Sequence, residues 1–231
     1  MAGGIRHDGR VSRDWLRWHQ DYNLAGSSLA RRLVVVRGCL ERALSEAPAE
    51  PDGRRRLISM CAGDGRDVLP VLAEHDRGRL VRAVLAELDP ELCRRARVVA
   101  TELGLDEVDV RTGDAGLAAT YLDAAPAHVV MACGVFGNIS AEHVRRTIAA
   151  LPALLVDGGV VIWTRGRGDD DGVDSSTGVR ACLEEHGFQE MAFTRPADAR
   201  FRVGMHRLVA APEPARPAAR RLSQEQLFTF V

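Results

Sequence analysis

The run Ser59-Met60-Cys61-Ala62-Gly63-Asp64-Gly65-Arg66-Asp67 holds the densest chemistry of the 231-residue chain. Residues 57–61 are apolar and read as a short buried strand, and Gly63 and Gly65 end it in a turn where backbone can approach a ligand closely. A helix opening after such a turn presents unpaired N–H groups that suit a carboxylate or a phosphate. Glu87 closes a second apolar run 22 residues beyond Gly65, close to the spacing at which an acidic side chain meets the hydroxyls of a ribose. Turn and acid together point to a nucleoside cofactor.

Missing residues narrow the chemistry. A dinucleotide fingerprint wants a third glycine three positions after Gly65, and Val68 stands there instead, which disfavours NAD. All 31 basic residues are arginine, so a phosphate-binding-loop lysine, a Schiff-base lysine and the Tyr-x-x-x-Lys pair of short-chain oxidoreductases are all excluded. What remains is a nucleoside whose far end is an amino acid.

The elements that must position these residues alternate. Strand-like runs at 57–61, 80–87, 108–112, 128–133 and 160–164 are separated by helical stretches of crossover length, which predicts a parallel sheet. Asp89 caps the helix after the second strand, with Pro90 at its first position and Gly104 beyond its last turn. A helix from Ser140 carries Val144, Ile148 and Leu151 on one face and should kink or end at Pro152. Another, capped by Ser176 or Thr177, runs to Gly187, and strands at 188–194 and 201–209 follow. Ahead of the sheet, residues 12–22 place Trp15, Trp18 and Tyr22 at helical spacing. A second helix from Ser28 carries Leu29, Leu33, Val36, Leu40 and Leu44 as one stripe. Residues 166–176 and 210–221 read as loop and extended tail, and 227–231 as an edge strand.

In this order the strand ends resemble those of the class I S-adenosylmethionine-dependent methyltransferases over most of residues 57–209. The family's D/E-x-G-x-G-x-G turn falls on Ser59, Cys61, Gly63 and Gly65, with serine and cysteine at its first two positions. Glu87-Leu88-Asp89-Pro90 is similar to its ribose-binding strand end, Gly113-Asp114-Ala115 to its adenine-contacting motif, and Cys133-Gly134-Val135-Phe136-Gly137-Asn138 to its fourth-strand motif beneath the methyl donor. The resemblance implies a Rossmann-like three-layer α/β sandwich, with a seven-stranded, mostly parallel sheet and a final hairpin supplying the antiparallel member. It also implies a helical cap over 1–50 joined to the cofactor-binding domain over 51–231 in one structural unit.

The implied cofactor is S-adenosyl-L-methionine, leaving as S-adenosyl-L-homocysteine. The cofactor-binding set is Cys61, Ala62, Gly63, Asp64, Gly65, Arg66, Asp67, Glu87, Leu88, Gly113, Asp114, Ala115, Cys133 and Gly134. Trp15, Phe136, Asn138, Trp163, Arg165 and Phe201 are the expected acceptor-side residues, and Tyr22, His19 and His206 the candidate general bases for a phenol or ammonium. Arg66 and Asp67 form a helix-start ion pair or hold the cofactor's amino-acid end. Cys61 and Cys133 read as packing residues rather than nucleophiles. No carboxylate cluster after the fourth strand suggests a metal.

The expected activity is methyl transfer to an O, N or C nucleophile of a small molecule, such as a secondary metabolite. A non-catalytic cofactor-binding scaffold and an NAD-type oxidoreductase are the rival readings. With 31 basic against 32 acidic residues and a net charge of -1, no field gathers nucleic acid. No span of about 20 apolar residues reaches across a membrane. The chain is expected to act in the cytoplasm as a monomer or homodimer. Five scattered cysteines, Cys39, Cys61, Cys93, Cys133 and Cys182, include no C-x-x-C pair and suggest neither disulfide nor zinc.

Overall fold

The computed structural model describes residues 6–7, 10–11, 24, 26–166, 174–209 and 222–231. The helix expected over 12–22, most of the loop at 167–173 and the tail at 210–221 lie outside the described residues. Seven strands form one sheet: β1 (Arg55–Met60), β2 (Val81–Glu87), β3 (Val108–Thr112), β4 (Ala127–Ala132), β5 (Leu155–Gly166), β6 (Phe188–Thr194) and β7 (Phe201–Leu208). Their spatial order is β3-β2-β1-β4-β5-β7-β6. The first five run parallel, and β7 lies antiparallel to β5 and to β6. The order therefore reverses between β1 and β4, where open α/β sheets bind ligands.

Both faces of the sheet are covered, because alternate residues of each inner strand feed two separate cores. Ile58 and Met60, Val84 and Ala86, Val161 and Trp163 face helices α4 (Ala141–Leu154) and α5 (Ser176–Glu185). Leu57, Ala83, Leu85, Val160 and Ile162 face α1 (Ser28–Glu46), α2 (Leu69–Glu74) and α3 (Pro90–Glu102). Such two-sided burial is what a parallel sheet requires of its strands.

Helix ends follow their local chemistry. Ser27 caps α1 by accepting from the Ala30 amide, and Val36, Leu40, Ala43 and Leu44 form its buried stripe. Asp89 caps α3 by accepting from the Glu91 and Leu92 amides, with Pro90 inside the first turn. Ser140 caps α4, which runs two residues past Pro152 before ending. The start of α5 is held by Asp174, whose Oδ1 accepts from both the amide and the hydroxyl of Ser176. Ser175 takes the N-cap position without a side-chain bond of its own, and the carboxylate just ahead of it serves the helix start in place of the expected Ser176 or Thr177.

Two expectations about packing are corrected. Residues 227–231 do not extend the sheet. Instead the 222–231 segment lies across the loops at the carboxyl ends of β3 and β4, bridging Leu117 to Gln226 and Ile139 to Phe230. Trp163, expected beside an acceptor, is fully buried in the α4/α5 core. It pairs across the sheet with Gly204, where a Cβ would collide with the indole ring, and its Nε1 donates to His206 Nδ1 at 3.3 Å. Gly204→Ala is expected to cost about 1–3 kcal/mol through overpacking, lowering Tm by roughly 2–12 °C in thermal unfolding. An unchanged Tm would place the indole elsewhere.

Candidate functional site

At the reversal point the carboxyl ends of β1 to β4 open into a cavity of about 300 Å³, within the range of small-molecule sites. Its floor is the glycine turn after β1. Cys61, Gly63 and Gly65 all adopt positive φ, at 54°, 60° and 73°. Gly65 has no room for a side chain either, since a Cβ would lie 2.7 Å from Leu69 Cδ1. Cys61 occupies the left-handed region that ordinarily goes to glycine, at the position where the resembled motif has one.

Glu87 ties this turn to the tip of β2. One carboxylate oxygen accepts from the Gly63 amide at 2.9 Å and the other from the Leu88 and Asp89 amides, each at 2.9 Å. A carboxylate offers about four acceptor positions, so capacity for a hydroxyl remains. Asp114, at the tip of β3, accepts from the Gly116 amide at 2.7 Å. Leu88 lines the cavity while 65% exposed, giving its mouth an apolar wall beside these two acids.

A second charged group lines the cavity near Cys133. Asp67 lines the cavity with its Oδ1 buried and unpartnered, an arrangement that burial makes costly for a charged carboxylate. Burial raises its pKa to about 6, against the pull of Arg32 and Arg37. Arg32 also lines the cavity, from α1. Arg66 pairs with Asp64, not Asp67, its Nε donating to Asp64 Oδ1 at 2.7 Å. Arg37 of α1 donates twice to the Arg66 carbonyl, at 2.9 and 2.6 Å, and so clamps the turn from above. At the tip of β4, the Gly134 amide donates to Thr164 Oγ1 at 2.8 Å, and the space a Gly134 Cβ would enter is open.

Both cavity cysteines are neutral thiols. Burial, then the Glu87 and Asp114 carboxylates, holds Cys61 well above the ordinary thiol range; burial, then Asp67, does the same for Cys133. A neutral buried thiol is neither nucleophile nor base.

Of the residues expected at the cofactor, Cys61, Ala62, Gly63, Arg66, Asp67, Glu87, Leu88, Asp114, Ala115, Cys133 and Gly134 line this one cavity. Asp64, Gly65 and Gly113 stand behind it and shape its turns. None of the described acceptor-side residues lines the cavity. Phe136 and Trp163 stack 6.1 Å apart inside the α4/α5 core, whereas Phe201 is buried on the other face beneath α1. Arg165 braces loops by donating to Ser175 Oγ and the Phe136 carbonyl, and Asn138 Nδ2 donates to the Gly134 carbonyl. His206 is buried beside Trp163 and Glu190 Oε2, and burial lowers its pKa to about 4. It does not line the cavity and does not reach a substrate there. Trp15, His19 and Tyr22 lie outside the described residues.

Sequence reasoning missed Arg32, Leu33 and Val36 of α1, Leu92 of α3 and its cap Asp89, and Phe230. Asp89 and Leu92 were legible as neighbours of Glu87. The α1 residues and Phe230 had no local signal, because only long-range packing brings them to the strand ends.

No protein-family model matches the sequence, and no curated protein does. Solved structures do. An O-methyltransferase family protein from Burkholderia thailandensis superposes with a TM-score of 0.60 at 16% identity, over 80% of this chain and 57% of that one. The carbon methyltransferase CurJ gives 0.62 at 14%, over 85% and 59%. An rRNA methylase from Streptococcus thermophilus gives 0.55 at 14%, over 74% and 95%. The fold is that of the class I methyltransferases. This chain spans little more than half the length of the Burkholderia protein. Among the described residues no helix is long and apolar enough to cross a membrane.

Proposed function

We propose that the chain is a methyltransferase that takes S-adenosyl-L-methionine into this cavity and methylates a small molecule. The observation that carries the reading is the grouping of charged side chains in the cavity. Asp114 and Glu87 stand at adjacent strand tips beside Cys61, as a base and a ribose require, and Asp67, whose Oδ1 has no partner, stands with Arg32 beside Cys133. An amino acid is zwitterionic, so a carboxylate and a guanidinium side by side match its ammonium and carboxylate. Asp67 thereby takes the part of the acidic residue that Ser59 replaces.

When bound, the cofactor supplies an already activated methyl group. The chain's own contribution is to hold the acceptor in line at about 3 Å and to exclude water. Among the described residues lining the cavity there is no histidine or tyrosine. For a phenol or ammonium acceptor, Tyr22 and His19, just ahead of α1, are our candidates for the base. The rRNA methylase among the structural neighbours raises RNA as an alternative acceptor. The net charge of -1 favours a small molecule, because RNA binding rests on neutralising phosphates.

S-adenosylhomocysteine at a hundred times its Kd is expected to stabilise the protein by about 2.7 kcal/mol, raising Tm by roughly 5–11 °C. Labelled methyl should then pass into a small-molecule extract and not into ribosomal RNA. Absence of any thermal shift would reject the cofactor, and label in RNA would reject the acceptor class.

A further inference from the structure

The 222–231 segment is built into the wall of the cavity, and nothing in the proposed function accounts for it. Leu222, Leu227 and Phe228 are buried. The Leu227 amide donates to the Gly116 carbonyl at 2.7 Å and the Val231 amide to the Asn138 carbonyl at 3.0 Å. Gly116 accommodates the strap specifically, since a Cβ there would collide with the Phe228 carbonyl and approach Gln226 Nε2. The strap is thus matched to the loop that carries Asp114.

Its polar contact falls on Asp114 itself. Gln226 Nε2 donates to Asp114 Oδ2 at 3.1 Å and to the Phe228 carbonyl at 2.7 Å. Both neighbours can only accept, so the amide nitrogen, not its oxygen, faces the carboxylate. The other oxygen, Oδ1, is held by the Gly116 amide. A free aspartate rotates broadly about its terminal torsion. Asp114 is pinned at both oxygens, each of which keeps a further acceptor position, and it lines the cavity. Phe230 lines the same cavity from the strap.

We propose that Gln226 is a positioning residue that makes Asp114 a fixed acceptor, so that the site selects a purine bearing an exocyclic amine over one bearing a carbonyl at the same place. This rests on the adenosyl reading of the cavity. An amine donates to the carboxylate, whereas a carbonyl there would set two acceptors against each other with neither satisfied. A carboxylate left free to turn away would discriminate less.

The test compares Kd for S-adenosylhomocysteine and its 6-oxo analogue S-inosylhomocysteine by calorimetry. The wild type is expected to prefer the amine roughly tenfold or more, the range of one hydrogen bond to a charged group. Gln226→Met keeps the side-chain volume and removes the donor, and should cut that preference at least threefold while unfolding within a few degrees of the wild type. Gly116→Ala, which displaces the strap by a different route, should do the same. An unchanged preference in a folded variant overturns the role of Gln226 while leaving the adenosyl site standing. Failure of the wild type to bind either nucleoside overturns both.

Discussion

Asp67→Asn is expected to weaken S-adenosylhomocysteine binding roughly 30- to 150-fold, the about 2–3 kcal/mol that a buried charge pair loses when one partner is neutralised. The reason lies in the ligand-free site. Asp67 Oδ1 has no partner, and burial keeps the carboxyl protonated to about pH 6. In the unfolded chain it ionises near the ordinary 3.8. Its folded pKa is therefore raised, so the stability it lends the ligand-free protein is present at low pH and is lost as the pH rises through about 6. An ammonium binds the ionised form, so ligand affinity has the opposite slope and strengthens as the pH rises through the same value. Calorimetry between pH 5 and 8 should show that strengthening in the wild type and a flatter curve in Asp67→Asn. Parallel curves for the two proteins would take the ammonium away from Asp67.

Glu87→Ala has a double consequence. The carboxylate accepts three backbone amides, those of Gly63, Leu88 and Asp89, which pin the glycine turn to the end of β2. Their loss should lower the ligand-free Tm by several degrees, in line with about 1–3 kcal/mol for donors left without an acceptor. The same substitution removes the group assigned to the ribose hydroxyls, so most of the 5–11 °C stabilisation by S-adenosylhomocysteine should vanish. Differential scanning reads both effects in one experiment. A variant with a lowered ligand-free Tm but an undiminished ligand shift would keep Glu87 as a brace for the turn and reject its contact with ribose.

Much of this site was legible in the chain because it is made of strand ends. Once residues 57–61 and 80–87 read as neighbouring parallel strands, Gly63, Gly65 and Glu87 had to meet at one edge, whatever the rest of the fold did. Asp89 and Ser140 were likewise local, since a cap and the amides it serves lie within three residues of one another.

Trp163 marks the limit. It lies within the run Val160-Val161-Ile162-Trp163, apolar on both faces because helices cover both. A strand buried on two sides carries no alternation to say which way a given side chain points. Only the assembled sheet turned Trp163 onto Gly204 and away from the cavity. The same holds for Arg32, Arg37 and Phe230, whose helical stripe or terminal position recorded nothing of the strand tips they reach. Sequence determined the order of the elements and the acids at their ends, since both follow from contacts a few residues apart. Tertiary packing decided what covers those acids, because that depends on which distant surfaces the two cores leave at the open edge of the sheet.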